Sequence, residues 1–183
     1  MNDSSPHNDP ADVPDAAPPD ALIDVLIEIP KGSRNKYEVD HATGRIRLDR
    51  RLFAATVYPT EYGFIPDTLA EDGDPLDALV LMQEPTFPGC WISARPVGLM
   101  WMSDEHGPDA KVICVEPSEP RFWNVHDISA IEWQFLDEIK HFFDVYKDLE
   151  PDKYSLTGEF EGRESAWAEI RASQARFEAP PHA

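Results

Sequence analysis

Three aspartates, Asp72, Asp74 and Asp77, fall within six positions on a segment bent by Gly73 and Pro75. Carboxylates this close repel one another in water, and a divalent cation between them relieves the repulsion. Their hard oxygen donors suit Mg²⁺, Mn²⁺ or Ca²⁺ rather than zinc. Asp, Gly and Pro are also ordinary turn residues, so an isolated triplet of this kind is more often a solvated acidic turn. An EF-hand loop fits poorly. Its glycine should follow the third ligand and a glutamate should close the loop at the twelfth position; counted from Asp72, Gly73 is second and Gln83 twelfth.

A second acidic group, Asp104-Glu105-His106-Gly107-Pro108-Asp109, sits at another Gly-Pro turn before an apolar run. Alone it reads as a surface loop, with His106 a solvated loop residue. Joined to the first cluster it supplies carboxylates for more than one metal ion. Basic residues stand singly near strand edges and turns: Lys36, Arg50, Lys111 and Lys147. Tyr58, Tyr62 and Tyr146 read as core or rim aromatics. If these groups converge, cations and phenol donors around a metal-binding cavity make a site for a small, highly charged phosphate compound.

The elements that must position them follow from periodicity. Residues 22–29 alternate into a strand stopped by Pro30. Residues 36–40 and 45–48 form a hairpin around Ala42-Thr43-Gly44. Further strand-like runs at 78–83, 91–98 and 111–115 suggest a barrel or sandwich. Ser129 with Glu132 resembles a capping box. Ile131, Phe135, Leu136, Ile139, Phe142, Phe143 and Tyr146 then share a helical face; of the adjacent Phe142 and Phe143 one is expected to serve the core while the other or its neighbours face a partner. A second helix is expected over 163–177, with Trp167 and Ile170 inward. The layout is α+β, a barrel-like core flanked by two helices.

The chain has 183 residues, enough for one domain with a sizeable core, and a formal charge of −19 from 16 basic and 35 acidic residues. That charge argues against non-specific binding to nucleic acid or anionic membranes. Cys90 and Cys114 lack metal-type spacing and read as reduced, buried thiols. The expectation is a cytoplasmic protein with no membrane segment. Residues 1–20, with five prolines, five aspartates and no lysine or arginine, are expected to be a disordered acidic tail. Residues 21–178 form the expected domain, and 179–183 a loose C-terminus.

Taken together these segments resemble the soluble family I inorganic pyrophosphatases. The signature D-x-D-P-x-D is Asp72-Gly73-Asp74-Pro75-Leu76-Asp77. Around it stand Ile27-Glu28-Ile29-Pro30, Asn35-Lys36-Tyr37-Glu38, Asp49-Arg50, Tyr58 through Pro66, Arg95-Pro96-Val97-Gly98, and Tyr146 through Glu150, in the family's order. The resemblance implies a five-stranded OB-like closed β-barrel flanked by two α-helices. It implies hydrolysis of pyrophosphate, several Mg²⁺ ions per site with Mn²⁺ as a substitute, and a homohexamer. Carried over by position, Asp72, Asp77, Asp104 and Asp109 bind metal, with Glu28 and Glu38 supporting a further ion. Asp74 is the general base, and Lys36, Arg50, Tyr62, Lys111, Tyr146 and Lys147 hold phosphate. Arg51 is the rival to Arg50, but the position after Asp49 fits better. Two other readings stay open: a non-catalytic OB-like binding module, and a metal-dependent phosphohydrolase for nucleotides or polyphosphate.

Overall fold

The structure is a computed structural model and describes residues 18 and 20–179. Its strands are β1 (Ile23–Ile29), β2 (Asn35–Asp40), β3 (Arg45–Arg51), β4 (Glu61–Phe64), β5 (Asp77–Leu81), β6 (Trp91–Asp104), β7 (Gly107–Pro108), β8 (Lys111–Val115) and β9 (Ser155–Gly162). The helices are α1 (Trp133–Val145) and α2 (Arg163–Glu178), with short 3₁₀ turns at Pro120–Phe122 and Ile128–Ala130. Ladders run β1-β4-β5-β8-β6, and β6 also pairs with β1, so the sequence of pairings returns to its start. This mostly antiparallel, OB-like arrangement has one parallel pair, β5 with β8. β7 and β9 extend β6, while β2 and β3 pair only with each other.

β5 and β8 are buried on both faces, which is why Ala78–Leu81 and Val112–Val115 read as unbroken apolar runs rather than alternating ones. Leu79, Leu81, Ile113 and Val115 face a cluster completed by Ile139, Phe142 and Phe143 of α1. Ala78, Val80, Val112 and Cys114 face a second cluster completed by Ala166 and Ile170 of α2. Gly63 lets β4 press against β1, because a Cβ there would lie 2.0 Å from the Leu26 carbonyl oxygen.

The structure corrects several expectations. α1 begins at Trp133, not Ser129. Asp127 accepts from the Ser129 amide and caps a 3₁₀ turn, and Ile131 is extended, so no capping box forms. Phe142 and Phe143 are both core residues, 3% and 1% exposed, which leaves only their neighbours to face a partner. The exposed aromatics of α1 are Trp133 and, at the open end of the stripe that buries Ile139 and Phe142, Phe135. β4 and β9 were not expected as strands. Cys114 is buried, but Cys90 is only half-buried. Of the expected acidic tail, residues 1–17 and 19 lie outside the described residues, as do 180–183. Pro18 and Asp20 touch the fold: Arg163 donates to the Pro18 carbonyl, and Arg95 Nη2 lies 3.5 Å from Asp20, which is otherwise exposed. Among the described residues no helix is long and apolar enough to cross a membrane.

Candidate active site

Glu28 lies in an irregularity of β1: Ile27 pairs with Gly63 and Ile29 with Tyr62, leaving Glu28 as the extra residue. Such a bulge re-aims a side chain. Here Glu28 Oε1 accepts from the Val39 amide at 2.7 Å, joining β1 to the β2–β3 hairpin. A second irregularity, with Lys36 opposite Arg50 and Tyr37 opposite Leu48, leaves Asp49 as the extra residue on β3. The hairpin thereby presents Lys36, Glu38, Asp49 and Arg50 to one cleft.

The acidic turn closes over a fixed base. Ile65 donates its amide to the Leu76 carbonyl at 2.9 Å, and Thr68 Oγ1 accepts from the Leu76 amide. Within the turn Gly73 has φ +95°, a conformation that side chains rarely adopt, and Asp72 Oδ1 accepts from the Asp74 amide at 3.1 Å. The chain then enters β5 at Asp77. Parallel pairing sets Asp77 opposite Lys111, the first residue of β8. Lys111 Nζ donates to Asp77 Oδ2 at 2.7 Å and to the two Asp109 oxygens at 2.8 and 2.9 Å. Tyr62 also donates to Asp77 Oδ2, at 2.5 Å, so Oδ1 takes neither contact.

β6 ends at Asp104, and the turn through β7 returns the chain to Asp109, whose amide donates to the Met102 carbonyl. Lys147, in the turn after α1, donates to Asp104 Oδ2 at 2.7 Å and to Glu105 at 3.1 and 3.2 Å. Behind the cleft, Tyr58, Tyr62, Phe142, Phe143 and Tyr146 pack with ring centroids 4.8–6.4 Å apart. This aromatic wall seats α1 so that its end delivers Tyr146 and Lys147.

The cleft has a volume of about 490 Å³. Glu28, Lys36, Glu38, Arg50, Tyr62, Asp72, Asp74, Asp77, Asp104, Asp109, Lys111, Tyr146 and Lys147 all line it. Arg51 does not, and it is exposed. His41, Asp49, Glu105, His106 and Lys153 also line it and had no assigned role. Glu105 and His106 were visible within the second acidic cluster. Lys153 carried no local signal, and Glu150, behind Arg50, was visible only as the end of a family-like segment.

Charge in the cleft is lopsided. Among the described residues nine carboxylates and five Lys or Arg side chains line it. Burial pushes the Glu28 carboxyl up to about 7, against the Val39 amide and with help from the Asp77 charge. Burial also raises Asp109, opposed by Lys111 and reinforced by Asp77. It raises Asp72 too. For Asp104 burial acts upward, but the Lys147 bond and the His106 amide outweigh it and hold the group low. Burial, then neighbouring carboxylates, keep the Tyr62 and Tyr146 phenols well above their ordinary value, so both stay protonated donors.

The donor set fits hard divalent cations. It is carboxylate oxygen with histidines only at the rim and no thiol. Among the described residues no three acidic, histidine or cysteine side chains yet meet at one point. The Lys111 ammonium stands between Asp77 and Asp109, and that of Lys147 between Asp104 and Glu105.

A family profile described as inorganic pyrophosphatase matches residues 25–178. This chain belongs to the inorganic pyrophosphatase family. It is 59% identical over 155 residues to an inorganic pyrophosphatase of Streptomyces coelicolor, covering 85% of this chain and 95% of that protein. The inorganic pyrophosphatase structure from Thermus thermophilus superposes with a TM-score of 0.84 at 46% identity, covering 91% of this chain and 96% of the other. That from Helicobacter pylori gives 0.84 at 42% identity, covering 86% and 94%. As a pyrophosphatase, the chain is an enzyme, an inorganic diphosphatase that hydrolyses pyrophosphate to two orthophosphates.

Proposed function

We propose that the cleft between the carboxylate strand ends and the β2–β3 hairpin is where pyrophosphate is hydrolysed, with Mg²⁺ as the working cation and Mn²⁺ as a substitute. The observation that carries this reading is the excess of carboxylates over Lys and Arg around the cleft. Such a lining repels a polyanion unless divalent cations enter first. Bound cations supply charge neutralisation, and they acidify water.

The protein side chains divide the remaining work. Asp77, with Oδ1 outside the Lys111 and Tyr62 contacts, is a cation ligand together with Asp72, Asp104 and Asp109. Glu28 and Glu38 support a further ion at the foot of the hairpin. Asp74 stands on the exposed side of the turn, its amide pinned by Asp72, and takes the proton of the attacking water. Arg50 grips phosphoryl oxygens as a planar fork, while Lys36, Lys111 and Lys147 act as point charges. These fixed cations stabilise charge that spreads over the phosphoryl oxygens in the transition state. Tyr146 donates from the aromatic wall. Tyr62 has one proton and gives it to Asp77, so its first task is to orient that carboxylate.

The test is phosphate release from pyrophosphate, ATP and tripolyphosphate, each with Mg²⁺ and with EDTA. Release from pyrophosphate that EDTA abolishes is expected. Preference for ATP or tripolyphosphate would favour a broader phosphohydrolase, and no release from any would favour a binding module.

The Glu28 shift has a measurable consequence. A carboxyl raised to about 7 must lose its proton before it supports a cation. Mg²⁺ affinity, measured by calorimetry, should therefore rise with pH up to about 7, and Glu28→Gln should flatten that rise. For folding without the cation the sign is opposite. The proton is held more tightly in the folded state, so stability from this group is lost as pH rises from 4.5 through about 7. An unchanged pH slope in Glu28→Gln would remove Glu28 from the cation-supporting set.

The same reading extends to the assembly. The returning ladder β1-β4-β5-β8-β6 supports a closed five-stranded OB-like barrel. Trp133, 70% exposed, and Phe135, 38% exposed at the open end of the apolar stripe, support α1 as a contact element of a homohexamer. Sedimentation velocity at micromolar concentration checks this, and a stable monomer would refute it. Two unpaired thiols, Cys90 and Cys114, support a cytoplasmic location.

A further inference from the structure

Arg50 and Glu150 are a hundred residues apart and meet side-on. Arg50 Nε donates to Glu150 Oε1 at 3.0 Å, and Nη2 lies 2.9 Å from Oε2. The Arg50 Nη1 group pairs with Asp49. A guanidinium has five N–H groups in a fixed fork, so these contacts leave one on each terminal nitrogen to point onward. Glu150 is 6% exposed and behind the cleft lining. Its own amide donates to the Lys147 carbonyl at 2.8 Å, so the carboxylate belongs to the turn that delivers Lys147. It also lies 3.3 Å from Lys153 Nζ, another cleft cation.

The hairpin that carries Arg50 has no strand partner beyond itself. Asp49 belongs to that hairpin and cannot fix Arg50 relative to the rest of the protein. Glu150 can. Without it the long arginine side chain regains its rotamer freedom, and its fork points at the cleft only part of the time.

We propose that Glu150 is a positioning residue for catalysis: it grips Arg50 from behind, aims the guanidinium at the substrate phosphate, and locks it in register with Lys147. This rests on the reading of Arg50 as a phosphate-binding cation. Glu150 does not line the cleft, and of the two cleft cations it meets it holds Arg50 by two contacts and Lys153 by one, so its main route to the substrate is through Arg50.

The experiment is a double-mutant cycle on the full chain with saturating Mg²⁺. Glu150→Gln should raise KM for pyrophosphate about tenfold, within the coupling expected of directly contacting residues, while the Mg²⁺ activation midpoint stays within about twofold. In an Arg50→Ala background the same Glu150→Gln change should alter kcat/KM by less than about twofold. Equal factors in the two backgrounds would overturn the proposal, because Glu150 would then act on the fold at large. Wild-type KM in Glu150→Gln beside a large Arg50→Ala loss would overturn it too. Wild-type kcat/KM in Arg50→Ala would instead overturn the reading of Arg50 itself. Should Glu150→Gln lose its cooperative thermal transition, the cycle is run with Glu150→Asp, which keeps the charge but not the reach, under the same criteria.

Discussion

Asp77→Asn is expected to lose divalent-cation affinity and turnover together, whereas Asp74→Asn loses turnover alone. The two residues share a motif but not an environment. Asp77 begins β5, is fixed from one side by Lys111 and Tyr62 through Oδ2, and keeps Oδ1 outside both contacts. A neutral amide there binds a hard cation poorly, and it also faces Lys111 without its charge. Asp74 lies on the exposed side of the turn, held through its backbone rather than its carboxylate. Its loss should leave Mg²⁺ affinity largely unchanged and cut turnover by about 10²–10⁴, the usual scale for a general base. The alkaline limb of its pH profile should shift, as hydroxide replaces the missing acceptor. Calorimetric Mg²⁺ titration beside turnover across pH tests the pair. Equal affinity and equal turnover loss in both variants would end this division of roles.

Lys111→Met should carry the largest stability cost of any cleft substitution. Lys111 is 1% exposed, and its ammonium pairs with both Asp77 and Asp109. Burial disfavours its charge, but the two carboxylates more than compensate and raise its pKa, so it stays charged throughout the usable range. Removing one member of a buried ion pair costs about 3–5 kcal/mol, because the others are left uncompensated. The Asp77 and Asp109 side chains keep some water contact, which places the expected loss near the lower end, about 3 kcal/mol. A divalent cation should return part of it by replacing the missing positive charge. Urea unfolding in EDTA and in Mg²⁺ measures both terms. A loss below about 1 kcal/mol in EDTA would mean that the lysine does not hold the carboxylates together.

The acidic clusters stood out as candidates because their chemistry is local, whereas the Lys, Arg and Tyr side chains read singly as surface or core residues and Glu28 and Glu38 entered only through the family resemblance. Asp72, Asp74 and Asp77 announce themselves by spacing, and Asp104 with Asp109 by a Gly-Pro turn. What brings them together was not local. The parallel register that sets Asp77 beside Lys111 joins strands thirty-four residues apart. The bulge that re-aims Glu28 depends on β4, a four-residue strand too short to show a period. β9 escaped notice because its half-exposed stretch, with Gly158 in the middle, lacks an apolar alternation. The expected capping box failed for a physical reason: Asp127 two residues earlier binds the Ser129 amide first and turns the chain extended at Ile131. Glu150 could be read only as the end of a family-like segment, since its role depends on an arginine a hundred residues away.

Arg95 and Asp104 lie nine positions apart on β6. At roughly 3.3 Å per residue that is roughly 25–30 Å once the strand's irregularities are allowed for. Asp20 meets the fold at Arg95, whereas the cleft opens at Asp104. About three screening lengths of about 8–10 Å separate them along the strand at ordinary salt. The entry point of the acidic N-terminal segment is thus electrostatically remote from the incoming polyanion. It is also the natural place to tether the enzyme: an affinity handle, a dye or a surface linker joined ahead of Pro18 meets the fold at the end opposite the reaction.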